Sequence, residues 1–116
     1  MNIEACYNKM GADYAEVKSR LPSDAFIKRF ALKFLDDPTF ALLEKSLAEE
    51  NVDESFRAAH TLKGITQNLG FSQLSPLAIE ITEILRAGTM DGTDTLFPQL
   101  KEKYDMTVAC IKEVDE

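Results

Sequence analysis

The chain has 116 residues, 45% of them hydrophobic, which is enough for one buried core and one domain spanning residues 1–116. No run of about 18 apolar residues occurs, and a net charge of −7 argues against nucleic acid or an anionic membrane surface as the partner. Neither GxGxxG nor GxxxxGK[ST] is present, which argues against ATP binding by this chain.

The N-terminal stretch predicts short helices. A first helix is expected over about residues 2–9, ended by Gly11, followed by a helical piece from Tyr14 to Arg20. Acidic residues stand where a secretory signal would need a basic start, so we expect a cytoplasmic protein. Ser23 is a typical N-cap for the next helix, whose apolar side chains fall on one face: Ile27, Phe30, Ala31 and Phe34.

The middle of the chain contains two further helix starts. Asp37 and Pro38 form a restart signal, with Asp37 as the cap and Pro38 at the first helical position. Asn51, with Glu54 three residues later, resembles a capping box that opens the segment ending at Gly70. Gly70 is predicted to be the C-terminal cap of that helix.

Two more helices complete the pattern. One is expected from about Ser72 to Ala87, with Pro76 tolerated in its first turn, and the last follows a turn over residues 88–95. Short connections between long helices favour antiparallel neighbours. The sequence therefore predicts an all-α protein, an up-and-down antiparallel four-helix bundle over about residues 23–114 with additional short N-terminal helices over about 1–22.

The two cysteines, Cys6 and Cys110, stand near opposite ends of the sequence. In a cytoplasmic chain such residues are more often small buried apolar side chains than a disulfide, although the two could pair. One histidine with two distant cysteines makes a poor metal site, so no metal or other cofactor is expected in this chain.

The helix over residues 52–70 places its histidine away from the core. On a helical wheel with His60 at zero, the apolar residues cluster at roughly 140° to 200°: Ala58, Leu62, Ile65 and Leu69. Residues within about 60° of His60 are mostly polar or small: Phe56, Arg57, Lys63, Gly64 and Gln67. His60 is therefore predicted to be exposed in mid-helix.

The charges near His60 favour an anionic ligand. No Asp or Glu occurs from Ser55 to Ile79, and the basic residues of this window are Arg57 and Lys63, one turn before and after His60. An exposed imidazole is partly neutral, and hence nucleophilic, near neutral pH. Nearby cations suit an attached phosphoryl group.

Each of these residues also has an ordinary structural explanation. A lone helical histidine is commonly just solvated, as are Arg57 and Lys63. Gly64 either clears space for an approaching protein or permits close packing of another helix. Gln67 is a candidate hydrogen-bond donor to the ring or the phosphate, and Phe56 either covers the bundle edge or contacts a partner.

The string AAHTLKGITQNLG, residues 58–70, resembles the signature of histidine phosphotransfer (HPt) domains, in which H-x-x-K-G is followed by N-L-G. The likeness extends over about residues 23–114, and the N-terminal segment is similar to that of stand-alone bacterial members. The resemblance implies that His60 is the phosphoacceptor through its Nε2, that Lys63 steadies the phosphoryl group, and that Gly64 clears room for the partner.

The resemblance further implies a passive carrier without kinase activity. Its partners would be the receiver domain of a hybrid sensor kinase and a response regulator, with the Mg²⁺ held by the receiver. We expect a monomer that docks through Phe56, Arg57, Phe71 and Ile79. Ile65 and Gln67 are bulkier than the small residues that HPt domains commonly have at these positions. Because Gln67 lies on the predicted docking face, its size leaves open which partners the chain prefers.

Two other functions remain open from the sequence. One is a helical adaptor with this fold that binds receiver or kinase domains without being phosphorylated. The other is a detached phosphoacceptor domain of a chemotaxis-type kinase, phosphorylated by an ATP-binding subunit. The short acidic ending EVDE, without a linker, favours a complete protein over such a fragment.

Overall fold

The computed structural model describes residues 1–115, whose regular secondary structure is entirely α-helical. In chain order the helices are α1 (Ile3–Met10), α2 (Tyr14–Arg20), α3 (Asp24–Phe34), α4 (Thr39–Ala48), α5 (Val52–Asn68), α6 (Ser75–Arg86) and α7 (Thr93–Lys112). Within this part of the chain, no helix is both long and apolar enough to cross a bilayer.

The helix starts follow the predicted caps. The Ser23 hydroxyl accepts a hydrogen bond from the main-chain N–H of Phe26 at 3.1 Å, and the Asn51 side chain accepts one from Glu54 at 3.1 Å. Each bond satisfies one of the amide groups left without a partner in a first helical turn. The reciprocal half of the capping box is not formed: the N–H of Asn51 donates to the Ser46 carbonyl at 3.0 Å, and the Glu54 carboxylate accepts from Arg57.

The start of α4 differs slightly from the prediction. The helix begins at Thr39, so Pro38 occupies the N-cap position and not the first helical position. Asp37 still satisfies the helix terminus, because its carboxylate accepts from the N–H of Thr39 at 2.8 Å.

The C-terminal end of α5 is closed by Gly70. Gly70 has a φ of +69°, which a residue with a Cβ rarely adopts. The N–H of Phe71 then donates to the carbonyl of Thr66 at 2.8 Å, and that of Gly70 to Gln67 at 3.2 Å, the pattern of a Schellman motif. A Cβ at Gly70 would also lie 2.9 Å from the Cβ of Val17, so the turn packs tightly on α2.

The bundle is built around α5, which packs against both α4 and α6, while α6 packs against α7. An aromatic stack brings α4 to α7: the ring of Phe40 lies 5.3 Å from that of Phe97 and 3.8 Å from that of Tyr104, centroid to centroid. Short connections join these four helices, which makes sequential neighbours antiparallel. The predicted all-α bundle is confirmed.

The N-terminal helices share the core of the bundle. Helix α1 packs against α7 and α3 and buries one full face, comprising Ile3, Cys6, Tyr7 and Met10. Both Cys6 and Cys110 are buried and unbonded, as the sequence predicted. Helix α2 is tied to α3 by Asp24, whose carboxylate accepts from Lys18 Nζ at 2.6 Å and from the Tyr14 hydroxyl.

Candidate functional site

Helix α5 presents His60 to solvent from its middle, as predicted. The opposite face packs into the core through the buried side chains of Ala58, Leu62 and Leu69. His60 lies across the helix from these residues and is exposed. The apolar stripe that anchors α5 therefore determines which way the imidazole points, because both are fixed to the same helical register.

The His60 ring stacks on the ring of Phe56. The two centroids are 5.8 Å apart and the planes differ by 18°, as expected for aromatic side chains four residues apart on a helix. Arg86 of α6 covers Phe56, with its guanidinium carbon 5.0 Å from the ring centre. Phe56 thus lies beside both the imidazole and the guanidinium.

The two cations near His60 are in different situations. Arg57 forms an ion pair with Glu54 at 3.2 Å, and its side chain is 75% exposed. Lys63 is half-buried and forms no ion pair within residues 1–115. Lys63 can therefore pair with an incoming anion without first breaking an existing ion pair, whereas Arg57 cannot.

Gly64 leaves open space beside His60. A Cβ built on Gly64 would meet nothing within 4 Å, apart from its own helical turn. The alternative explanation, close packing against another helix, is therefore wrong. Glycine within a helix costs about 0.5–1 kcal/mol relative to alanine, and no internal contact here requires it.

The remaining predicted residues lie farther from His60. Gln67 is exposed two turns later on α5, and its main-chain carbonyl accepts from Arg20 at 2.9 Å. Ile79 is half-buried on α6, the helix that packs beside α5. Both contribute to the surface of the bundle, and the structure gives neither a contact with the imidazole.

Phe71 corrects one prediction. The sequence predicts it on the docking face, yet its side chain has no exposed area and packs against Phe34 and Tyr7, with ring centroids 5.2 and 5.6 Å away. A buried ring cannot contact a partner. The Schellman turn at Gly70 sends the chain back into the core, and an apolar residue directly after such a glycine commonly packs on the helix that it ends.

The sequence does not indicate that Arg86 lies near the site. It stands 26 positions after His60, on a different helix, and an arginine in the last turn of a helix is typically assigned to the helix dipole. Only the packing of α6 on α5 brings its guanidinium over Phe56 while its Nε donates to Glu83 at 3.0 Å.

The part of the chain that the structure describes contains no group of three or more His, Cys, Asp or Glu side chains suited to a metal ion. The site consists of one exposed imidazole, one unpaired lysine and open space. Such an arrangement can offer a nucleophile to another protein, since the nucleophile and its surroundings are accessible from solvent.

Comparison with known proteins agrees with this geometry. The family model described as Hpt domain matches residues 37–109, which include α4, α5, α6 and most of α7. The chemotaxis protein CheA of Halobacterium salinarum is 38% identical over 69 residues, which cover 57% of this chain and 10% of that protein. The chain therefore spans about a tenth of the length of this curated relative. No solved structure matches the chain.

Proposed function

Because the chain belongs to the Hpt domain family, a family of phosphotransfer domains in two-component signalling, we propose that it carries a phosphoryl group on His60 between receiver-domain aspartates. In this proposal the chain is an intermediate of a phosphorelay and has no kinase activity of its own. Its partners are the receiver domain of a hybrid sensor kinase and a response regulator.

One observation carries the proposal: the exposed imidazole of His60 in the middle of α5, with nothing within 4 Å of the position that a Gly64 Cβ would occupy. A receiver must bring its phosphoaspartate in line with the attacking nitrogen, so the approach has to be clear of side chains. The open space at Gly64 supports such an approach.

The proposed chemistry is a reversible phosphoryl transfer. The lone pair of neutral His60 Nε2 attacks phosphorus, the N–P bond forms, and the O–P bond to the receiver aspartate breaks to leave a carboxylate. Lys63 lies one turn from His60 and places a positive charge beside the phosphoryl oxygens. In this proposal the Mg²⁺ belongs to the receiver, and the reverse reaction delivers the group to the next aspartate.

A second candidate function is favoured by the similarity to CheA. There His60 would be phosphorylated by an ATP-binding kinase subunit, and a receiver would act only as the acceptor. The two candidates share the site and differ in the donor. The adaptor interpretation, in which His60 is never phosphorylated, is the third outcome of the same experiment.

The experiment is a transfer assay with radiolabelled phosphate. A phosphorylated receiver is mixed with the wild-type chain, with His60→Gln and with Lys103→Gln, which changes an exposed residue on α7. We expect label that is acid-labile and alkali-stable on the wild type and on Lys103→Gln, and none on His60→Gln. A parallel reaction uses ATP and a chemotaxis-type kinase core as the donor.

The outcomes separate the three functions. Label from the receiver supports the relay, whereas label only from kinase and ATP supports the CheA-like function. If neither donor labels the chain while receivers bind wild type and His60→Gln equally, the adaptor is the correct function. Sedimentation of the purified chain checks the predicted monomer, and fractionation of cells checks the predicted cytoplasmic location.

A further inference from the structure

Basic side chains are concentrated in one short segment of this acidic protein. Residues 18–35 contain five of the 13 basic residues of the chain and one of its 20 acidic residues. The segment covers the last three residues of α2, the turn after it, and α3. The surface formed by these two helices is therefore locally positive on a molecule whose net charge is −7.

An apolar cleft lies on the same surface. Its volume is 510 Å³, and it runs between the α2–α3 segment and the C-terminal half of α5. Its apolar walls are Leu21, Phe26, Phe30, Phe34, Ile65 and Leu69. Lys33 and Asn68, which also line it, are exposed, so the cleft opens to solvent.

The wall formed by α3 combines aromatic rings with cations. The rings of Phe26 and Phe30 lie 4.6 Å apart, and both are half-buried. Lys33 Nζ lies 5.3 Å and the Arg29 guanidinium carbon 5.9 Å from the centre of the Phe30 ring. Aromatic side chains and arginine are enriched at protein interfaces, so the Phe26–Phe30 pair with Arg29 beside it suits a partner surface.

One cation on the lining of the cleft, Lys33, has no carboxylate partner in the described chain, and Arg29 stands one turn before it on α3. Among residues 1–115, neither Arg29 nor Lys33 forms an ion pair with a carboxylate. Arg20 is paired with Glu16 at 2.9 Å, and Asp37 is the acidic residue among those that line the cleft. A ligand for this cleft therefore needs apolar groups for the walls and negative charge for the rim.

We propose that this cleft, which we call the α3–α5 cleft, binds an acidic amphipathic helix of a partner protein. A helix places apolar side chains at i, i+3, i+4 and i+7 into a groove while carboxylates flank them. The cations favour this occupant over a small amphipathic anion, because Arg29 and Lys33 stand one turn apart along α3. Two cations at this spacing pair better with several carboxylates along a helix than with the single charged head group of a small molecule.

The cleft and His60 lie on different sides of the same helix. Ile65 follows His60 by five residues, which is about 7.5 Å along the axis, and by roughly 140° around it. One partner protein can therefore occupy the cleft with a helix and approach His60 with another segment. Binding in the cleft does not require His60 to be phosphorylated, so the inference stands apart from the relay.

The test measures binding of a defined peptide by fluorescence anisotropy. The probe is a labelled 14-residue helix with leucines at i, i+3, i+4 and i+7 and mostly glutamate elsewhere. A second peptide has the same composition with the leucines distributed around the helix. We expect saturable binding of the first peptide, weakening with added NaCl, and about tenfold weaker binding of the second.

Charge-reversal variants locate the binding site. Arg29→Glu/Lys33→Glu changes Lys33, which lines the cleft, and Arg29, one turn before it on α3, both exposed. Lys45→Glu/Lys103→Glu makes the same change of net charge at exposed positions on α4 and α7. We expect the first pair to weaken binding about tenfold and the second about twofold, because salt screens distant charges. Phe26→Ala, checked for folding by circular dichroism, tests the apolar wall.

Several results would overturn the inference. These are no binding of the amphipathic peptide up to about 1 mM, equal binding of both peptides, or equal weakening by the two charge-reversal pairs. Binding of dodecanoate in the cleft without binding of the peptide would assign it to a small anion instead. His60→Gln is expected to bind the peptide like wild type. Failure of the phosphorelay proposal and failure of the cleft proposal therefore give different results.

Discussion

The hydroxyl of Tyr7 on α1 donates a hydrogen bond to the main-chain carbonyl of Leu69, at the end of the helix that carries His60. The ring is fully buried and burial raises the pKa of its hydroxyl, so the group stays protonated and available as a donor. Helix α1 thus supplies a hydrogen-bond donor to a carbonyl at the C-terminal end of α5, where the helix itself has no N–H to offer. The N-terminal helices are in this way structurally linked to the site.

We expect Tyr7→Phe to lower the free energy of unfolding by about 1–3 kcal/mol, because the Leu69 carbonyl is left buried without a partner. Urea denaturation followed by circular dichroism measures the change. Tyr104→Phe is the matched control, since it removes the same atom from a half-buried tyrosine whose hydroxyl forms no hydrogen bond within residues 1–115. Equal destabilisation by both variants would contradict the role of the bond.

We expect Phe56→Ala to slow phosphoryl transfer to His60 about two- to tenfold, because stacking worth about 0.5–1.5 kcal/mol no longer restrains the imidazole. Single-turnover transfer from a phosphorylated receiver gives the rate, and binding of the unphosphorylated receiver is measured separately. Leu42→Ala removes a 54% exposed side chain from α4 and serves as the control. A change in receiver affinity without a change in rate would make Phe56 a docking residue only.

We expect Gly64→Ala to stabilise the fold and impair the function. The added methyl meets nothing within 4 Å, so the gain in helix propensity raises the free energy of unfolding by about 0.5–1 kcal/mol. The same methyl stands in the approach to His60 and slows transfer about tenfold or more, since small misplacements of reacting groups are costly.

Gly11→Ala is the contrasting variant for Gly64→Ala. Gly11 also has nothing within 4 Å of its Cβ position, but its φ is +77°, so an alanine there is strained and should destabilise the fold by about 1 kcal/mol. Thermal unfolding of both variants tests the difference in sign. If Gly64→Ala transfers at the wild-type rate, the open space beside His60 is not needed by the partner.

We expect Cys6 to resist alkylation in the folded protein. Burial, and then the neighbouring Cys110, raise the pKa of the Cys6 thiol to about 11, so the reactive thiolate is scarce at neutral pH and also inaccessible. Iodoacetamide labelling followed by mass spectrometry should show little modification at pH 7.5 and full modification in urea. Labelling at the unfolded rate under native conditions would show that α1 detaches from α7.

Local sequence was sufficient for much of the site. The caps at Ser23 and Asn51, the glycine at position 70 and the exposed orientation of His60 were predicted from the sequence. These features depend on hydrogen bonds and side-chain periodicity within one helix, where residues a few positions apart decide the outcome. The likeness to HPt domains, carried by residues 58–70, was equally a property of one continuous segment.

The tertiary structure decided the features that join distant segments. Phe71 is buried because the turn at Gly70 directs it onto Phe34, 37 positions earlier, while Arg86 reaches Phe56 only through the packing of α6 on α5. The α3–α5 cleft likewise exists because two helices far apart in sequence leave a gap between them. Helical periodicity determines which face of each helix is apolar, but which faces meet depends on the packing of the whole bundle.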